Sequence, residues 1–156
     1  RGDMPPLTLT WWDGGLMPQR PDELEDDMPF GDPNGGCLFI GDKGKLVCGC
    51  YGLNPRILNA DLREVAKKLA KTIPRILGAS SGHEKDWIRA CKGGVAASSN
   101  FDYSGPLSEM VLMVNLASRF PDRKLLWDGA KMKVTNDEGA NAYVNRVYRK
   151  GFELGT

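Results

Sequence analysis

Residues 37–50 constrain this chain most, because they read as a β-hairpin that is apolar on both faces. Cys37-Leu38-Phe39-Ile40 is one strand, Gly41-Asp42-Lys43-Gly44 the turn, and Lys45-Leu46-Val47-Cys48 the return. The glycines and Asp42 suit the positive φ and the side-chain-to-backbone bonds that such turns require. Alternation sends Leu38 and Ile40 to one face and Cys37 and Phe39 to the other, and Val47 likewise opposes Leu46 and Cys48. A sheet with two apolar faces needs two covers. Helices of the same chain are expected on one face. The other face is then open to a partner subunit, with Phe39 and Val47 as candidate contacts.

The helical covers can be read from the 3.6-residue period. Asp61 to Ile73 forms a short amphipathic helix with Leu62, Val65, Ala66 and Leu69 as its stripe, stopped by Pro74. Ser81-Gly82-His83-Glu84 has the spacing of a capping box. Trp87, Ile88 and Cys91 form the apolar face of the helix it opens, and Gly93-Gly94 ends that helix. Ser104 is the expected cap of a third helix, with Pro106 in its first turn. Its body, Met110-Val111-Leu112-Met113-Val114, is apolar nearly all round, the pattern of a deeply buried helix. Strands are expected at Leu125-Leu126-Trp127 and Met132-Lys133-Val134-Thr135, on either side of an Asp128-Gly129 turn. Asn136 is the expected cap of a last helix with the stripe Ala140, Tyr143, Val144 and Val147. Before the hairpin, residues 7–12 alternate as a strand, and 13–36 form a long acidic and proline-rich loop read as a solvated excursion. The fold class is therefore α+β: a mostly antiparallel sheet with helices on one face and the other face left for oligomerisation.

Charge and cysteine usage narrow the partners. Formal net charge is +1, from 21 basic and 20 acidic side chains, so no basic face for nucleic acid is expected. No apolar run approaches the ~20 residues of a membrane span, so no membrane partner is expected. Cys37, Cys48, Cys50 and Cys91 fit no zinc spacing with the single histidine, His83, and read as buried free thiols, with a disulfide or a metal site as the alternatives.

Four stretches carry a family resemblance. They are Leu7-Thr8-Leu9-Thr10-Trp11-Trp12-Asp13-Gly14-Gly15, Trp87-Ile88-Arg89-Ala90-Cys91-Lys92-Gly93-Gly94, Phe101-Asp102-Tyr103-Ser104-Gly105-Pro106-Leu107-Ser108-Glu109 and Lys124-Leu125-Leu126-Trp127-Asp128-Gly129. The chain resembles the second half of the glucose–fructose oxidoreductase and inositol dehydrogenase (Gfo/Idh/MocA) family. The resemblance implies that residues 1–156 are one C-terminal substrate and oligomerisation domain. NAD or NADP would be bound by an amino-terminal dinucleotide-binding domain that the chain lacks. No G-x-G-x-x-G follows a strand here, so no cofactor is expected within these residues. The family's proton-handling lysine and aspartate–histidine pair would lie upstream of Arg1, so no catalytic residue is carried over. Part of a substrate wall could remain: aromatic faces with carboxylates suit a sugar-like small molecule, and Trp12, Asp13, Asp102 and Tyr103 supply those types. The resemblance also implies a homo-oligomer, most simply a dimer through the sheet. Two alternatives share these residues: an NAD-dependent glycoside hydrolase of the same family, and a binding or assembly module with no chemistry of its own.

Overall fold

The hairpin forms where alternation places it. In the computed structural model, which describes residues 5–73, 76 and 82–153, β1 (Gly36–Ile40) pairs antiparallel with β2 (Lys45–Gly49). Cys37 stands opposite Cys48, Leu38 opposite Val47 and Phe39 opposite Leu46. The turn closes with the Gly41 N–H donating to the Gly44 carbonyl at 2.9 Å. β3 (Arg56–Ile57) adds antiparallel to the other side of β2, giving the order β1-β2-β3. β2 is thus the central strand, and among the described residues β1 has no strand partner on its other edge.

The chain divides into two compact units, Arg1–Pro74 and Arg75–Thr156. In the first, Val47 is fully buried in a cluster with Leu24 and Leu58, against which Met28, Phe30 and Leu38 pack. Much of this cover comes from the loop before the hairpin, so that loop is no solvated excursion. Leu24 is only 5% exposed. The loop is fastened from several sides. Arg20 donates to the carbonyl oxygens of Glu25 and Met28, Lys45 pairs with Glu23 at 2.7 Å, and Arg56 donates to the Pro29 carbonyl. The Lys45 ammonium holds the Glu23 carboxyl below its ordinary pKa. A helix contributes as well. In α1 (Ala60–Lys67), Leu62 lies so close to Gly44 that a Cβ there would collide with it.

Val47, expected at a subunit contact, cannot serve there, because it is sealed inside this cluster on the face opposite Phe39. Residues 7–12 do not form the expected strand. They pair with no strand among the described residues, and Leu7, Leu9, Trp11 and Trp12 are exposed. Alternation makes a segment fit for a sheet, but a strand exists only where a neighbour accepts its hydrogen bonds.

The second unit holds α2 (Gly82–Cys91), α3 (Phe101–Ser118), β4 (Trp127–Asp128), β5 (Lys133–Val134) and α4 (Glu138–Asn141). β4 and β5 pair antiparallel, Trp127 opposite Val134. Leu116, Val134 and Ala140 form the buried cluster, with Met113, Phe120, Leu125, Trp127 and Val144 packed around it. Phe120 and Tyr143 meet edge to face, centroids 5.8 Å apart. Helices and small antiparallel sheets together make this an α+β fold. No helix among the described residues is long and apolar enough to cross a membrane.

Three expectations for this unit need correction. Asn100, not Ser104, caps α3, so Pro106 lies inside the helix and not in its first turn. Asp137, not Asn136, caps the last helix, which is only four residues long. The body of α3 is not deeply buried: Met110, Val111 and Leu112 are all exposed, and Leu116 is its buried residue. The Ser81 cap expected for α2 and the Pro74 stop lie outside the described residues.

Candidate functional site

The amino end of α3 is built by a chain of polar contacts that begins on α2. Asp86 and Arg89 sit one helical turn apart and form an ion pair. The second Asp86 oxygen accepts from the Ser98 backbone N–H at 2.8 Å and from its hydroxyl at 3.1 Å. Arg89 reaches on to the Val95 carbonyl at 2.9 Å. The Arg89 guanidinium, helped by the Ser98 N–H, lowers the Asp86 pKa from 3.8 to about 2. Segment 95–98 is thereby bracketed to α2, and Ala97 within it is buried.

Asn100 then turns the chain into α3. Its side-chain oxygen accepts from the Asp102 N–H at 3.0 Å, and its side-chain amide donates to the Ala97 carbonyl at 2.9 Å. One side chain thus satisfies a free helix N–H and ties the cap to the bracket. Asp102 and Tyr103 fall on the first turn. The cap uses the Asp102 backbone N–H and leaves its carboxylate without a partner among the described residues. Tyr103 is 64% exposed. Sequence reasoning passed over Asp86, Ser98 and Asn100. The i,i+3 spacing of Asp86 and Arg89, and an Asn two residues before an Asp, were the available signals.

The other two expected wall residues, Trp12 and Asp13, belong to the first unit. Asp13 is a turn residue: its carboxylate accepts from the Gly14 N–H at 2.7 Å and its carbonyl from the Leu16 N–H at 3.1 Å. The Gly14 φ of +64° and Gly15 φ of +85° are the left-handed conformations that favour glycine in that turn. Trp12, just before it, is 48% exposed.

An open groove of about 540 Å³ runs along the end of α2, lined by Lys85, Ile88, Arg89, Lys92, Gly93 and Gly94. Its cations complement the negative end of the helix dipole, and Arg89 is already committed to Asp86 and Val95. Gly93, at φ +86°, closes the helix with its N–H bonded to the Ala90 carbonyl at 3.0 Å. The groove is therefore the helix terminus itself.

The cysteines form the remaining concentration of reactive groups. All four are free; Cys48 is buried and Cys50 half-buried, but Cys37 and Cys91 are exposed, against the expectation of buried thiols. Burial, together with the nearby Cys48 and Cys50 thiols, pushes the Cys37 thiol up. The Asp32 carboxylate accepts the Cys50 N–H at 2.8 Å and anchors the end of β2. Among the described residues, no three His, Cys, Asp or Glu side chains are arranged to hold a metal ion. No protein-family model matches this chain, and no curated protein matches it.

Proposed function

We propose that this chain is the substrate-side and pairing domain of an NAD(P)-dependent oxidoreductase that acts on a sugar, polyol or sugar derivative. The observation that carries the reading is the pair Asp102 and Tyr103 on the first turn of α3, carboxylate and ring both presented outward from a rigidly capped helix start. A carboxylate takes hydrogen bonds from two neighbouring hydroxyls, and a ring face covers the C–H side of a sugar. Trp12 and Asp13 carry the same two residue types within the first unit, by themselves. In this reading the dinucleotide is held by a separate domain, and two glycine pairs among the described residues do not fit one. Gly93-Gly94 follow the C-terminus of α2, where the dipole disfavours a pyrophosphate, and Gly14-Gly15 open no helix. Two copies would pair through the sheet face that carries Phe39, which is 56% exposed on the side away from Val47.

The test uses the product of the intact gene. It is titrated with NAD(H) and NADP(H) and assayed on a panel of hexoses, polyols and amino sugars. It should bind one of the dinucleotides and turn over one of those substrates. Asp102→Asn should lower kcat/KM roughly tenfold or more, the effect of losing hydrogen bonds to a charged group, and leave dinucleotide affinity unchanged. A product that binds neither dinucleotide overturns the reading. Light scattering on Phe39→Lys should show a weakened pair, since the substitution puts a charge where water is excluded; an unchanged dimer rules out that face.

A further inference from the structure

We propose that Cys37 and Cys48 are a thiol pair that a two-electron oxidant such as hydrogen peroxide closes to a disulfide, locking β1 to β2. Their placement carries the idea. They are direct partners in the antiparallel register, and both are free. Direct antiparallel partners hold their Cα atoms about 4.5–5.5 Å apart, inside the range a disulfide spans. The strands also approach closely at the next position: a Cβ added to Gly36 would collide with the Cys48 carbonyl oxygen, so only glycine permits this contact.

The two thiols differ in access, which orders the chemistry. Cys37 is exposed and meets the oxidant; Cys48 is buried against it. Hydrogen peroxide oxidises the Cys37 sulfur to a sulfenic acid, its O–O bond breaking and one water leaving. The Cys48 sulfur then attacks the Cys37 sulfur, the S–O bond breaks, and a second water leaves. Overall two thiols lose two protons and two electrons, and one peroxide becomes two waters. Cys50 lies past the end of β2, in the turn Cys50–Gly52, and has no partner in the ladder. It follows Cys48 by two residues, so it is the competitor to exclude.

The experiment treats the full chain with hydrogen peroxide, alkylates it under denaturing conditions and maps the peptides. The expected product has lost the mass of two hydrogen atoms, retains two of its four alkylatable thiols, and links the Cys37 peptide to the Cys48 peptide. Cys50→Ser and Cys91→Ser should still form the bridge. Cys37→Ser, a change at an exposed position that keeps the core intact, should form none. The proposal is overturned if the bridge maps to Cys50 or Cys91, if Cys37 accumulates as a sulfinic acid, if all thiols stay alkylatable, or if Cys37→Ser still bridges internally.

Discussion

Strand β2 and helix α3 are both apolar, yet one is buried and the other is not. Val47, Cys48 and Gly49 are buried in β2, whereas α3 runs through eighteen residues with Leu116 as its buried one. β2 has a strand on each side and a loop across one face, and all three are sealed by named bonds. Among the described residues, the apolar side chains by which α3 joins its cluster are Leu116 and Met113, near its carboxy end. Apolar sequence sets the gain available from burial; the number of neighbours sets how much of it is realised.

The contrast can be broken from several sides. The largest effect is expected at Leu24. Leu24→Ala should destabilise the fold by about 2–5 kcal/mol in urea unfolding, as for other buried leucines, because the loop is the lid over Val47. A loss under ~1 kcal/mol would mean the hairpin is stable without its loop. Next comes Asn141, whose side chain accepts from the Val134 N–H at 2.8 Å and donates to the Val134 carbonyl at 2.9 Å. Asn141→Ala leaves both groups of a buried residue unpaired and should cost about 1–3 kcal/mol. Asn141→Asp should recover little, because a carboxylate can accept but not donate.

A smaller effect is expected at Leu112, which is 57% exposed. Leu112→Ala should change stability by less than about 1 kcal/mol in this chain alone. A loss of about 2 kcal/mol or more, with concentration-dependent melting, would show that another copy buries α3. The smallest effect concerns pH. The folded-state pKa of Asp86 is depressed from 3.8 to about 2, so its contribution is fully present above pH ~4 and fades as the pH falls toward 2. Thermal melting from pH 5 to 2 should therefore fall less steeply for Asp86→Asn than for the wild type. Parallel curves would remove Asp86 from the bracket.

Where the sequence failed, polar side chains were spent on something other than the nearest helix. Asn136 stands in the position of a cap, but its oxygen accepts from the Leu126 N–H at 2.7 Å and its amide donates to the Lys124 carbonyl at 2.6 Å. It finishes a strand pair too short to finish itself, and Asp137 takes over the cap while pairing with Arg123 at 2.8 Å. Asn59 does the same for the hairpin, accepting from the Lys45 N–H at 2.8 Å and making no cap bond for α1. An asparagine before a helix thus has two uses, and local spacing cannot tell them apart. The candidate site was legible in part. Residue chemistry pointed to Asp102 and Tyr103, but the bracket that holds them joins Asp86 to Ser98 across twelve positions that no motif links.

Local rules were enough for the hairpin, though not for the helix caps. Period-two alternation and the Gly41 to Gly44 turn determined the hairpin and its register, and therefore the facing of Cys37 and Cys48. The α+β class followed from the same patterns, because period and turn chemistry act over a few residues. Only the tertiary structure decided which apolar surfaces are covered. Leu7 to Trp12 alternate like a strand and find no strand partner among the described residues, while Leu24, in a loop of acids and prolines, becomes core. Burial is a property of two surfaces that meet, and a sequence states only one of them at a time.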